Sequence, residues 1–180
     1  MLLNNLILIF EFVYLKWKAL LGNIILSIVL CSLVLFTNVK FDNSLFEKLT
    51  SNSINLLGVL LGFTASIFTV ILTIDNDVIK ESKRKILEGR FYNREFTLYD
   101  SLVINFAFLI ILQGFLLIIN FISPIFNFNK DGLKFYLLVD LVLITLMILL
   151  LVNAILEFYF IITKKNNNGN EQNNSTQSRQ

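Results

Sequence analysis

Apolar residues fall into four long blocks separated by polar connectors. Ala19–Phe36, Ile54–Ile74, Leu102–Ile122 and Leu137–Ile162 each approach or exceed the roughly 20 residues with which a helix crosses a bilayer core. The pattern predicts an all-α, integral membrane four-helix bundle, up-down-up-down, with spans at about 19–36, 54–74, 101–123 and 136–162. The first block is longer than a secretory signal core. It leads into Asn38-Val39-Lys40 without a small-x-small cleavage site, so it is expected to remain as a span.

Residues 1–18 are apolar but punctuated. Asn4, Glu11 and Lys18 recur at seven-residue intervals, and Tyr14 and Trp17 stand beside Lys16 and Lys18. Aromatic rings and long cationic side chains suit the headgroup layer. The segment therefore reads as an interfacial helix running into the first span. The loop 37–53 is polar and short. The loop 75–100 carries both charge signs, and Ile79, Ile86, Leu87 and Phe91 give it partial helical periodicity. It reads as an amphipathic helix at the membrane surface that ends near Gly89. Pro124 stops the third span, and Asn127–Gly132 reads as a turn. Residues 164–180, almost wholly Asn, Gln, Ser and Thr beyond Lys164-Lys165, are expected to be disordered.

Composition agrees with lipid as the solvent. Of 180 residues, 56% are hydrophobic and 16% charged, against roughly 45–50% and 25% in a soluble domain. The net charge of +2 gives no case for direct nucleic-acid binding. The placement of the 15 Lys and Arg says more than their sum. Most lie at Lys16 and Lys18, in the loop 75–100, and in the tail. Only Lys40, Lys48, Lys130 and Lys134 lie in the other two loops. Cytoplasmic segments carry the Lys/Arg excess, so both termini and the loop 75–100 are assigned to the cytoplasmic face of a bacterial inner membrane.

The chain has no His, which removes a His-based metal site or general base. The single Cys31 removes a CxxC redox centre. No cofactor is implied and no catalytic constellation is visible. Lipoprotein signal peptidases use an Asp pair, whereas here Asp140 and Glu157 sit at opposite ends of one span. Rhomboid-like chemistry and HExxH need the absent His. Small multidrug transporters place a Glu where this chain has Asn23 and Ser27.

Polar positions inside the spans are the remaining candidates. Gly58, Gly62 and Ser66 form a small-residue stripe on the second span, and Ala19, Asn23, Ser27 and Cys31 form one on the first. Such stripes let helix backbones approach. They fit packing between these two helices, or a homo-oligomer seam. The third span holds Asn105, Gln113 and Asn120, and the fourth holds Asp140, Asn153 and Glu157. In an antiparallel hairpin, facing residues share a constant sum of positions. Asn120 with Asp140 and Asn105 with Glu157 nearly satisfy one register centred on Lys130-Asp131. Intramembrane carboxylates should face protein or water. With no basic partner inside the spans, they read as structural groups near span ends, or as lining for a conduit.

The Gly-rich run Leu57-Gly58-Val59-Leu60-Leu61-Gly62-Phe63-Thr64-Ala65-Ser66, followed by a charged loop and a second helical hairpin, resembles small four-span bacterial membrane proteins of antiphage defence systems. The membrane subunit of the Kiwa system has this layout. The resemblance covers about 54–122 and carries no catalytic residues. It implies a non-enzymatic membrane sensor or effector that oligomerises and works with a cytoplasmic protein partner. Lys83, Arg84 and Lys85 are the expected docking residues, unless the loop is only a solvated connector. The alternative is a stand-alone pore-forming or holin-like permeabiliser.

Overall fold

The computed structural model describes residues 2–35, 42–74, 77–91, 94–126 and 129–177. The chain is predominantly helical. In order it forms α1 (Leu2–Leu35), α2 (Asn43–Thr73), α3 (Asp77–Arg84), β1 (Ile86–Phe91), β2 (Arg94–Thr97), α4 (Leu98–Ile122) and α5 (Lys130–Gln177). Four helical stretches are long and apolar enough to cross a membrane: Phe12–Leu33, Asn43–Thr73, Leu98–Ile125 and Asp131–Thr163.

α4 is the central helix. It packs against α2, α5 and α1, and α1 packs mainly on α5. Leu102, Phe106, Leu109 and Leu116 of α4, Leu57 and Ile71 of α2, and Met147 and Ala154 of α5 are buried in one apolar core. The Phe12 ring of α1 stacks on Phe108 of α4, centroids 3.9 Å apart. A smaller cluster joins Phe46 of α2 to Leu133 and Leu137 of α5. Outward faces are apolar as well. Val59, Phe121, Ile125 and Phe135 are each 71–77% exposed. Water-soluble monomers rarely show contiguous apolar patches above a few hundred Å², and these faces match the composition of a multi-pass membrane protein.

Several expected boundaries move. α2 begins at Asn43 rather than Ile54. Asp42 caps it, accepting from the Leu45 amide at 2.8 Å, and Phe46, Thr50, Ser53 and Leu57 extend its buried face. α4 begins at Leu98, fixed by a reciprocal capping box between Thr97 and Asp100; T-L-Y-D is a start signal that hydropathy overlooks. Pro124 sits in a single 3-10 turn, Ser123–Ile125, after α4 ends, as a residue that cannot continue the helix should. Gly132 lies within the first turn of α5, its amide bonded to Asn129 Oδ1 at 2.8 Å. The connecting turn is therefore shorter than expected, and Asn127 and Phe128 lie outside the described residues.

The loop 75–100 is not one amphipathic helix ending at Gly89. Among its described residues, Asp77–Arg84 is helical, β1 and β2 pair antiparallel, and from Leu98 the chain already belongs to α4. Aromatic and β-branched residues such as Phe91, Phe96 and Thr97 favour a pleated strand, whereas Gly89 would weaken a helix interior by about 1 kcal/mol. The tail also differs. α5 continues as helix to Gln177, where disorder was expected over 164–180. No Pro interrupts the segment, and adding residues to an existing helix avoids the unfavourable nucleation step. Residues 178–180 lie outside the described residues, as do 36–41, which include the start of the polar loop 37–53.

Candidate functional site

Three amides on one face of α4 organise the interior. Asn105, Gln113 and Asn120 are 0–6% exposed. At 1.5 Å rise per residue they sit about 12 and 10 Å apart along the axis. Asn105 and Asn120 bond to α5, and Gln113 bonds to α2. Leu109, Leu116 and Met147, all at most 1% exposed, fill the levels between them.

At the turn end, where α4 meets α5, Asn120 Nδ2 donates to Asp140 Oδ1 at 2.7 Å and to the Leu116 carbonyl at 3.1 Å. Ser53 of α2 donates to the other carboxyl oxygen of Asp140 at 3.1 Å. The Tyr136 hydroxyl stands 3.4 Å from Asn120 Oδ1. At the middle level Gln113 Nε2 donates to Thr64 Oγ1 at 3.0 Å, and the Thr64 hydroxyl donates in turn to the Leu60 carbonyl at 2.7 Å. At the hairpin end Asn105 Nδ2 donates to Glu157 Oε2. Ser101 donates to Glu157 Oε1 at 3.4 Å. Lys16 Nζ makes an ion pair with the same oxygen at 2.6 Å.

Both facing pairs of the α4–α5 register, Asn120 with Asp140 and Asn105 with Glu157, are thus hydrogen-bonded. The expectation that the carboxylates lack a basic partner fails for Glu157. Lys16 reaches it from α1, and the two side chains are 27% and 24% exposed.

The first stripe pairs with α5 and not with α2. Asn153 Nδ2 donates to Asn23 Oδ1 at 3.3 Å. Cys31 Sγ is 3.6 Å from Thr145 Oγ1, and Ser27 is fully buried, its hydroxyl on the Ile24 carbonyl. α1 and α2 share no extensive seam, so packing between these two stripes is not what the chain uses. Gly58, Gly62 and Ser66 are exposed, and a Cβ added at either glycine would meet nothing within 4 Å. The inner face of α2 is instead the neighbouring seven-residue series Leu57, Thr64 and Ile71. That spacing was available in the sequence, but the glycines drew attention to the next face.

Lys83 and Arg84 end α3, Lys85 follows it, and all three are exposed. Lys83 Nζ lies 4.7 Å over the Tyr99 ring. Buried Ile79, Ser82 and Phe96 anchor this part of the chain, and the Lys85 carbonyl accepts from the Leu98 amide at 3.0 Å.

Between α1, α3, α4 and α5 the hairpin end encloses a cavity of about 690 Å³. Lys16, Asn23, Asn105, Asn153 and Glu157 line it, with Glu81 and Lys85 from the α3 side. Its walls are otherwise apolar, including Leu109, Leu150 and Phe160. Two buried polar atoms of lining residues, Asn23 Nδ2 and Asn105 Oδ1, have no hydrogen-bond partner. Among the described residues no group of three or more Cys, Asp or Glu is placed to hold a metal. The side chains of Asn4, Glu11, Arg90 and Arg94 lie outside the described residues. No family model matches the chain, and no curated protein or solved structure is significantly similar to it.

Proposed function

We propose that the chain is a non-enzymatic component of a bacterial inner membrane. It spans the bilayer four times, up-down-up-down, with both termini and the α3–hairpin segment in the cytoplasm. In this reading it serves an antiphage defence system as a membrane sensor or effector with a cytoplasmic protein partner. The observation that carries the reading is the destination of the intramembrane polar groups. They bond to one another in three separate layers, with buried Leu109, Leu116 and Met147 at the levels between. Side chains spent on holding helices together do not line a conduit through one protomer.

The α3–hairpin segment supplies the partner surface. It is ordered against α4 through Ile79 and Phe96 and presents Lys83, Arg84 and Lys85 outward. The exposed Gly58/Gly62/Ser66 face of α2 supports a second copy of the chain as a neighbour, because small residues allow close helix approach. A stand-alone permeabiliser is the competing reading, and it requires the conduit to form between protomers along that face.

Two measurements separate these readings. Expression of the chain alone should leave the membrane potential intact, whereas immediate depolarisation would overturn the sensor reading. Co-purification with the product of the neighbouring gene should fall when Lys83, Arg84 and Lys85 are reversed to Glu. Unchanged co-purification would remove the docking surface.

A further inference from the structure

We infer that the cavity at the hairpin end is a binding site for one phospholipid whose headgroup joins a phosphate to a primary ammonium. The inference rests on the membrane-spanning reading and goes beyond it.

Charge comes first. Two cations, Lys16 and Lys85, and two anions, Glu157 and Glu81, line the cavity. Lys16 and Glu157 pair with each other, while Glu81 and Lys85 make no ion pair among the described residues. The lining is neutral overall but carries both signs, which complements a zwitterion better than an anion.

Depth comes second. Asn153 precedes Glu157 by one helical turn, so the Asn23–Asn153 contact lies about 6 Å further into the membrane than the Glu157 level. A phospholipid has the same order along its length: ammonium and phosphate outermost, ester carbonyls a few ångströms below, hydrocarbon beneath.

The orphaned atoms fit that order. Asn23 Nδ2 is a donor without an acceptor, at the level of the ester oxygens. Asn105 Oδ1 is an acceptor without a donor, at the level of the ammonium. Asn105 is 6% exposed, and a polar atom left unpaired at that burial is costly unless something else satisfies it. Ala19 and Asn153, which are exposed and also line the cavity, open it sideways to the bilayer on the inner side of the headgroup level.

The test is native mass spectrometry of the full chain released from nanodiscs. The discs hold equal parts of phosphatidylethanolamine, phosphatidylcholine and phosphatidylglycerol. One phosphatidylethanolamine should be retained per protomer, ahead of phosphatidylcholine, which has no N–H to donate, and of phosphatidylglycerol, which is anionic. Ala19→Trp fills the mouth without removing a polar contact, and Lys85→Ala removes an unpaired surface cation. Lys85→Ala should lower retention by about tenfold, the scale of one lost charged hydrogen bond, and Ala19→Trp should lower it at least as far by occluding the mouth. Soluble glycerophosphoethanolamine should not compete, because it lacks the chains. Indifference to headgroup, preference for phosphatidylglycerol, or displacement by the soluble headgroup would each overturn the inference. Detergent-dependent extraction is scored separately, so that failure of the lipid site is distinct from failure of the membrane reading.

Discussion

The turn-end level predicts an asymmetry between its two principal partners. Asp140 accepts two hydrogen bonds, from Asn120 at 2.7 Å and Ser53 at 3.1 Å, and is 6% exposed. Asn120→Leu leaves a buried carboxyl group with only the serine hydroxyl. The cost of an unsatisfied buried polar group is about 1–3 kcal/mol, more for a charged one. Asp140→Leu is milder, because Asn120 Nδ2 still donates to the Leu116 carbonyl and the Ser53 hydroxyl can turn to a carbonyl of its own helix. Interhelical hydrogen bonds in membranes average about 0.6 kcal/mol, and Asp140→Leu should cost about that. Asn120→Leu should cost about 2 kcal/mol, and the double variant should be no worse than Asn120→Leu. Reversible unfolding in mixed micelles, titrated with a denaturing detergent, reads all three. If Asp140→Leu proved the more damaging single change, or if the two effects simply added, the two side chains would not be coupled as the geometry requires.

Two further outcomes follow from burial. Gln113 already leaves Oε1 unpaired, so Gln113→Leu should change stability by less than about 0.5 kcal/mol, whereas Thr64→Val, which orphans Gln113 Nε2 as well, should cost about 1 kcal/mol in the same unfolding assay; the reverse ranking would refute the pairing. Cys31 is buried beside Thr145, so a maleimide should label it only after unfolding, and rapid labelling of the native protein in micelles would show that α1 does not pack on α5 as described.

How much the sequence disclosed depended on how far apart the partners lie in the chain. The α4–α5 register could be read because a short turn leaves little freedom, and two polar pairs fall on one diagonal. The partner of α1 could not be read. Its small-residue stripe specifies close approach but not which helix approaches, and Asn23 and Cys31 find Asn153 and Thr145 more than a hundred positions away. The Lys16–Glu157 pair was hidden for a related reason. Hydropathy assigns Lys16 to a flanking segment, and only the packing of α1 on α5 brings it to the carboxylate. The early start of α2 was legible in principle, through Asp42 and the spacing of Phe46, Thr50 and Ser53, but a polar composition outweighed the periodicity. The β-hairpin was missed because Ile79, Ile86 and Leu87 imitate a helical period, while the strand preference of Phe91 and Phe96 only decides the matter once Phe96 is buried against the helices.

The order of synthesis gives the polar levels a second meaning. α5 follows α1 and α4 in the chain, and it bonds to Asn120, Asn105, Asn23 and Lys16 on those earlier helices. If the helices span a bilayer as proposed, those groups enter hydrocarbon before their α5 partners are in place, and a chain cut before α5 should be degraded faster than the full chain. Docking of α5 therefore joins α1 and α4 through polar contacts as well as apolar ones.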